Sequence, residues 1–398
     1  MGKEDLLAIF GGTPVRKNKI YYGRQTIEND DIQAVTDALK HDLITCGPQI
    51  EGLEKKLCEY TGAKYAVVVT SGTAALHCAC LAVGIKPEDE VITTPITFAA
   101  SANCARYCGA DVVFADVNYD TMNIDPKCIS DKINDRTKAV IAVDYTGQAV
   151  QIDEIRDICK THGIMFIEDA AHSIGTLYKG KKVGSLADMT TFSFHPVKTI
   201  TGGEGGAILT NDETLYKKLL LFRTHAISHY GVDKEEKGFW YYDQYDLGYN
   251  YRLTDFQAAL LINQLSKIDR FIKRRKEITE RYDAAFKNIQ EIIPHTNIPE
   301  SDTCNHLYVL RLNLERLNCD RQEFFNALAA ENVQPQVHYI PVYWLEYYQK
   351  LGYKKGICPE AERVYSEILS IPLYPMMSDE DVASVIDAVK KVINYYRK

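Results

Sequence analysis

The chain predicts an α/β fold: a large, mostly parallel sheet covered by helices, followed by a smaller α+β part. Three observations carry this. Short continuous apolar runs, such as Ala66-Val67-Val68-Val69 and Ala139-Val140-Ile141-Ala142-Val143, read as strands buried on both faces. Helical patterns lie between these runs, as parallel strands require. Near residue 254 the alternation stops and longer amphipathic patterns take over.

In order along the chain, Ala66–Val69 is the first strand and Thr73–Val83 the helix after it. Val91–Thr94, Val112–Ala115 and Ala139–Val143 read as further strands, with helical spacing between the last two and again from Asp153 to His162. Ile164–Ile167 is another strand, running into Glu168-Asp169. Thr254 and Gln257, three apart, form a capping-box pattern opening one long or broken helix from Phe256 to about Asn288. That helix carries a basic run, Lys273-Arg274-Arg275-Lys276, which reads as a solvated face. His306–Leu312 reads as a strand, and Ser378 opens a last helix with Val382, Val385, Ile386, Val389 and Ile393 on one face. The expected division is a large domain over 1–255, including the N-terminal segment, and a smaller one over 256–398.

Composition narrows the class. The 398 residues carry a formal net charge of -8, which argues against a dedicated nucleic-acid binder. Hydrophobic residues make up 46%, enough for a sizeable core. No apolar run approaches the roughly 20 residues of a membrane span. The opening residues, MGKEDLLAIFGG, lack a signal-peptide pattern. A soluble cytoplasmic protein is expected. The 11 cysteines are an odd number in a large chain, so no disulfide framework is expected. Cys78, Cys80, Cys104 and Cys108 lie in helix-like runs without partners at zinc-finger spacing; they read as buried thiols, and no metal site is expected.

Four stretches carry chemistry, all at or after strand ends, where open α/β sheets bind ligands. Thr70-Ser71-Gly72-Thr73 opens a helix, and its backbone N–H groups can hold a phosphate at Gly72 and Thr73. Taken alone, the stretch is better explained as an ordinary helix cap. Asp169 closes a strand; a carboxylate there can pair with a protonated pyridine nitrogen and keep a bound ring electron-withdrawing. His172 lies three residues on, within reach of the same ring. Phe192-Ser193-Phe194-His195-Pro196-Val197-Lys198 offers Ser193 as a second phosphate ligand and ends in Lys198, just before the turn Gly202-Gly203-Glu204-Gly205-Gly206. Schiff-base chemistry needs an amine that can lose its proton, and a desolvated lysine supplies one. Gly248-Tyr249-Asn250-Tyr251-Arg252 precedes the long helix and can complete a site in a neighbouring subunit.

Together these stretches resemble the fold-type I pyridoxal-phosphate (PLP) enzymes, and more closely the DegT/StrS-type nucleotide-sugar aminotransferases. The likeness also rests on Gly72-Thr73-Ala74-Ala75-Leu76-His77, Thr94-Pro95-Ile96-Thr97-Phe98 and Glu168-Asp169-Ala170-Ala171-His172, and runs from about residue 20 to the C-terminus. Gly203 and Ala171 are small departures. The resemblance implies PLP as cofactor, with the pyridoxamine form alternating. It implies Lys198 as the Schiff-base lysine and proton carrier and Asp169 as the partner of the ring nitrogen. Phe98 would stack on the ring, and His172 would lie near its oxygen. Gly72, Thr73 and Ser193 would hold the phosphate, joined by Asn250 from the second subunit of a homodimer. Tyr22-Gly23-Arg24-Gln25, Thr224-His225-Ala226-Ile227 and Gln336-Val337-His338-Tyr339-Ile340-Pro341 are similar to the pseudaminic-acid branch of the family. That branch implies L-glutamate as donor, a UDP-linked 4-keto-6-deoxy N-acetyl hexosamine as acceptor, and His338 and Tyr339 as sugar contacts.

Other readings stay open at this point. Bacillosamine- or perosamine-type sugars would suit the same site. A related dehydratase would replace Lys198 with histidine. A Rossmann dehydrogenase would need Gly-x-Gly-x-x-Gly after the first strand, which Ser71-Gly72-Thr73 lacks. A non-catalytic PLP-binding regulator would carry an added DNA-binding segment or a damaged site.

Overall fold

Seven strands form the central sheet: β1 (Tyr65–Val69), β2 (Glu90–Thr93), β3 (Asp111–Phe114), β4 (Thr137–Val143), β5 (Met165–Asp169), β6 (Met189–Ser193) and β7 (Gly206–Thr210). A computed structural model describes residues 6–228 and 234–398. The spatial order is β1-β7-β6-β5-β4-β2-β3, and only β7 runs against the rest. The carboxyl ends of β1, β2, β4, β5 and β6 therefore share one edge, and β7 begins there. Every residue of β2 and of β7 is buried, the mark of a sheet covered on both sides.

The covering helices follow from simple signals. Helix α1 spans Asn29–Ala38, and α2, opened by Pro48, spans Pro48–Thr61. Helix α3 (Gly72–Val83) is apolar almost throughout and sinks eight of its side chains into the core. It stops at Gly84, whose φ of 89° suits glycine. Helix α4 (Ala100–Tyr107) packs against α3. The helical spacing expected between β3 and β4 is realised only as a short turn of helix, Pro126–Ser130. Helices α5 (Ile152–His162) and α6 (Glu213–Arg223) complete this part.

The expected long helix after Thr254 is two helices, α7 (Asp255–Ser266) and α8 (Ile268–Phe286), hinged at Lys267. Thr254 and Gln257 form the capping box. Lys267 sits at the hinge because its ammonium is held by Asp30 and Asp31 of α1, at 3.0 and 2.7 Å. The basic run on α8 is not a uniformly solvated face. Arg275 is 1% exposed and donates to the carbonyls of His306 and Leu373, at 3.0 and 2.9 Å. Its neighbours Arg274 and Lys276 do face outward, onto Asp379 and Asp302.

Beyond α8 lies a three-stranded antiparallel sheet of Ile292–Ile293, Tyr308–Leu312 and Ile368–Ile371. Helices α9 (Arg321–Ala330), α10 (Pro359–Glu367) and α11 (Asp379–Tyr396) accompany it. The N-terminal segment shares this second core: Leu7 and Ile20 pack with Phe324, Leu328, Val389 and Ile393. Conversely, α7 and the start of α8 pack on the large sheet through Leu261, Leu265 and Phe271. Among the described residues, no helix is long and apolar enough to cross a membrane.

Candidate active site

A cavity of about 400 Å³ opens at the shared carboxyl edge of the large sheet. Each side chain in it is placed by the end of a strand or the start of a helix. Ser71 caps α3, its hydroxyl accepting the N–H of Ala74 at 3.1 Å. The N–H groups of Gly72 and Thr73 lie in the first helical turn, where no carbonyl within the helix can take them. Gly72 has a second reason to be glycine: a Cβ there would meet the Cβ of Ser193 at 2.8 Å. The start of α3 and the end of β6 thus press together at the cavity wall.

Asp169 is the last residue of β5 and is 4% exposed. Ser101, in the first turn of α4, donates its hydroxyl to Asp169 Oδ2 at 2.6 Å, and the N–H of Ala171 reaches Oδ1 at 3.2 Å. Burial lifts the carboxyl above its ordinary range, while these donors and Lys198 pull it back. A buried carboxylate of this kind favours a cationic partner.

Lys198 lies after the turn at His195–Pro196, with its backbone N–H on the His195 carbonyl at 2.9 Å. Burial pushes its ammonium down to about 8, and the Asp169 charge acts the other way. An appreciable share of the amine is therefore neutral near neutral pH.

Two histidines close the same cavity. His172 places Nε2 3.2 Å from the Tyr339 hydroxyl, and its Nδ1 has no hydrogen-bond partner among the described residues. His338 holds the Ser370 hydroxyl through Nδ1 at 2.8 Å, and its carbonyl accepts the Tyr145 hydroxyl. Burial, then the Lys198 charge, push His172 far down and His338 to about 3. Both rings are neutral at working pH and act as hydrogen-bonding groups. Phe98 is 62% exposed at the mouth, its ring 6.2 Å from that of Tyr339.

The structure thus brings Gly72, Thr73, Phe98, Asp169, His172, Ser193, Lys198, His338 and Tyr339 into one cavity. Asn250 does not line it. It is exposed and pairs with Thr224 in an isolated bridge. The sequence alone assigned no site role to Ser101, Tyr22 or His306, which also line the cavity. Ser101 reaches Asp169 only because α4 packs at the end of β5. The His306 ring lies 4.5 Å from that of His172, tilted by 41°, but it follows α8 in the chain, and nothing in its local sequence marks it.

The family model for the DegT/DnrJ/EryC1/StrS aminotransferase family matches residues 25–390. The chain belongs to this family. As a DegT/DnrJ/EryC1/StrS aminotransferase it is a PLP-dependent enzyme with the α/β fold of that class. It is 40% identical over 382 residues to the UDP-4-amino-4,6-dideoxy-N-acetyl-beta-L-altrosamine transaminase of Campylobacter jejuni, covering 95% of this chain and 99% of the other. It is likewise 40% identical over 381 residues to the spore coat polysaccharide biosynthesis protein SpsC of Bacillus subtilis, covering 95% and 98%. Among solved structures, Helicobacter pylori PseC, an aminotransferase of pseudaminic-acid biosynthesis, superposes with a TM-score of 0.89 at 33% identity, covering 95% of this chain and 100% of the other.

The lining fits PLP on its own terms. The start of α3 suits the phosphate, the buried Asp169 has no salt-bridge partner among the described residues where a pyridinium would supply one, and Lys198 offers an amine that deprotonates readily.

Proposed function

We propose that this aminotransferase moves the amino group of L-glutamate to C4 of a UDP-linked 4-keto-6-deoxy N-acetyl hexosamine. The observation that carries the reading is the meeting of Lys198 and Asp169 with His338 and Tyr339 in one cavity. The first two serve amino transfer in general, and the second two arrive from the C-terminal part, where a sugar-specific contact would be built. The names of the Campylobacter and Helicobacter relatives, all UDP-sugar transaminases of this type, support the choice of acceptor.

When bound, PLP supplies an electron sink that stabilises negative charge at the carbon losing its proton. The chain supplies the rest. Gly72, Thr73 and Ser193 would hold the phosphate, and Asp169, its carboxylate fixed by Ser101, would keep the ring nitrogen protonated. Phe98 and His172, which line the same cavity, would contact the bound ring. The neutral Lys198 amine takes the Cα proton of glutamate, and in the second half it delivers a proton to sugar C4. His338 and Tyr339 orient the sugar. Nitrogen leaves glutamate, 2-oxoglutarate departs, and the same nitrogen ends on the sugar, so the two substrates alternate in ping-pong order.

In this reading the cofactor-bearing domain and the smaller one divide near residue 255, with the N-terminal segment packed on the smaller core and α7 on the large sheet. A homodimer completes the site, Asn250 of each subunit reaching the phosphate held by the other. The test is product formation from L-glutamate and the UDP-linked 4-keto sugar. Amination of that sugar at C4 supports the assignment. Amination only of bacillosamine- or perosamine-type keto sugars overturns the acceptor while leaving the aminotransferase intact.

A further inference from the structure

His306 lines the active-site cavity, yet the cycle of amino transfer gives it no task. It is 3% exposed and is held at both of its backbone groups. Its N–H reaches the Thr146 carbonyl at 2.9 Å, and its carbonyl accepts the Arg275 guanidinium at 3.0 Å. Gly147, with φ of 101°, lets this segment close on that of His172. A Cβ there would lie 3.0 Å from both the His306 backbone nitrogen and the His172 carbonyl oxygen. Cys304 Sγ donates to the same His172 carbonyl at 3.1 Å. The two rings are thereby set 4.5 Å apart, tilted by 41°.

Packing alone does not explain a histidine here. A ring that only fills space would serve better as phenylalanine, because a buried polar atom without a partner is costly. His306 Nδ1 is sealed from solvent and has no hydrogen-bond partner among the described residues. Its Nε2 has none either, but it is not sealed. An orphaned lone pair is tolerated better than an orphaned N–H, so the ring proton belongs on Nε2, the nitrogen left open. Burial holds the ring well below its ordinary range, and it is neutral. The same reasoning applies to His172, whose Nδ1 is also sealed and unpartnered; its Nε2–H donates to the Tyr339 oxygen at 3.2 Å. That leaves the Tyr339 hydroxyl proton for another acceptor. This wall of the cavity therefore presents uncharged donors, an N–H and an O–H.

The charges around the cavity say what those donors meet. Among the described residues that line it, Lys198 is the one lysine or arginine, and it must be neutral to take up a proton. Asp169 and Glu204 line it as carboxyls. A carboxylate that enters finds no spare cation and depends on neutral donors, whose bonds to it are strengthened by its charge. We propose that His306 is a substrate-binding residue, its Nε2–H donating to a carboxylate oxygen of the dicarboxylate amino donor. This rests on the reading of L-glutamate as donor. The keto sugar carries no carboxylate, so the contact belongs to the first half of the cycle.

The test follows the bleaching of the visible PLP band of the full-length holoenzyme by L-glutamate, read as a limiting rate and a half-saturating concentration. Calorimetric titration with glutarate, a dicarboxylate without an amino group, reads binding apart from reaction. His306→Phe keeps a ring of similar size and loses the N–H. It should raise the half-saturating glutamate concentration and weaken glutarate binding roughly tenfold or more, the usual worth of a hydrogen bond to a charged group, with the limiting rate little changed. His306→Gln, whose amide N–H takes the place of Nε2–H, should recover most of that loss. The half-saturating keto sugar concentration should stay at the wild-type value in both. A wild-type band that glutamate does not bleach overturns the donor reading, and this inference with it. Wild-type bleaching with the same half-saturation in His306→Phe overturns this inference alone. So does an equal loss in His306→Gln, or a rise for the keto sugar in place of glutamate. His306→Leu takes the place of His306→Phe if that chain does not fold.

Discussion

The proposed role suits Lys198 because its amine is desolvated in a half-buried position and has no salt-bridge partner among the described residues. Its amine is held near 8, so the neutral form is scarce below that pH and dominant above it. A nucleophilic amine must be neutral, so uptake of PLP by the apo chain should speed up as pH rises towards about 8 and level off beyond it; stopped-flow absorbance would follow this. A rate independent of pH across that window would contradict the assigned amine. Removing the proposed proton carrier should have a larger effect. Lys198→Ala should lower turnover by about 10²–10⁴-fold, the usual worth of one positioned acid–base group, as read in the glutamate half-reaction. Ser101 makes a subtler prediction. A hydrogen bond to a charged group is worth about 1.5–3 kcal/mol, so Ser101→Ala should weaken PLP binding by roughly tenfold or more while leaving Lys198 reactive. Equilibrium titration of the cofactor would measure it. Lys198 and Asp169 were legible in the sequence because strand-end position and a following glycine turn are local signals. Ser101 and His306 were not, since each enters the site through packing between distant elements.

The ends of elements decide most of this fold. Strands β1, β4 and β5 were readable as apolar runs because both faces of the sheet are buried, and buried runs need no alternation. The short segment between β3 and β4 misled because amphipathic spacing promises a helix that Pro126 and the nearby turns cut to five residues. The sequence allowed a broken helix but did not place the break at Lys267, because a charge cluster on α1 fixes it, and that cluster is more than two hundred residues away in sequence. Caps carry measurable stability. Ser378 and Asp381 exchange hydrogen bonds at the start of α11, at 3.1 and 2.9 Å, so Ser378→Ala should cost about 1 kcal/mol in urea unfolding. An unchanged midpoint and slope would show that α11 is held by its apolar face alone.

At the scale of the whole molecule, two cores are tied across the chain by buried polar links. Arg275 is the clearest, reaching from α8 to the carbonyls of His306 and Leu373. The sequence disguised it within a basic run, because four successive charges on a helix look alike until three-dimensional packing buries one. Assembly makes its own prediction. If Asn250 serves the partner's phosphate, Lys198→Ala and Asn250→Ala chains, each impaired alone, should regain activity when mixed and allowed to exchange subunits. No recovery on mixing, with exchange confirmed by mass, would place Asn250 outside the site.

The central claim, that Lys198 and its neighbours run PLP-dependent amino transfer, is tested most directly by the visible absorption spectrum of the purified protein before and after excess L-glutamate. The account predicts a yellow cofactor band that bleaches on addition and returns with the keto sugar. A band that glutamate leaves unmoved would contradict the donor half of the cycle, and no band after incubation with PLP would contradict the site itself.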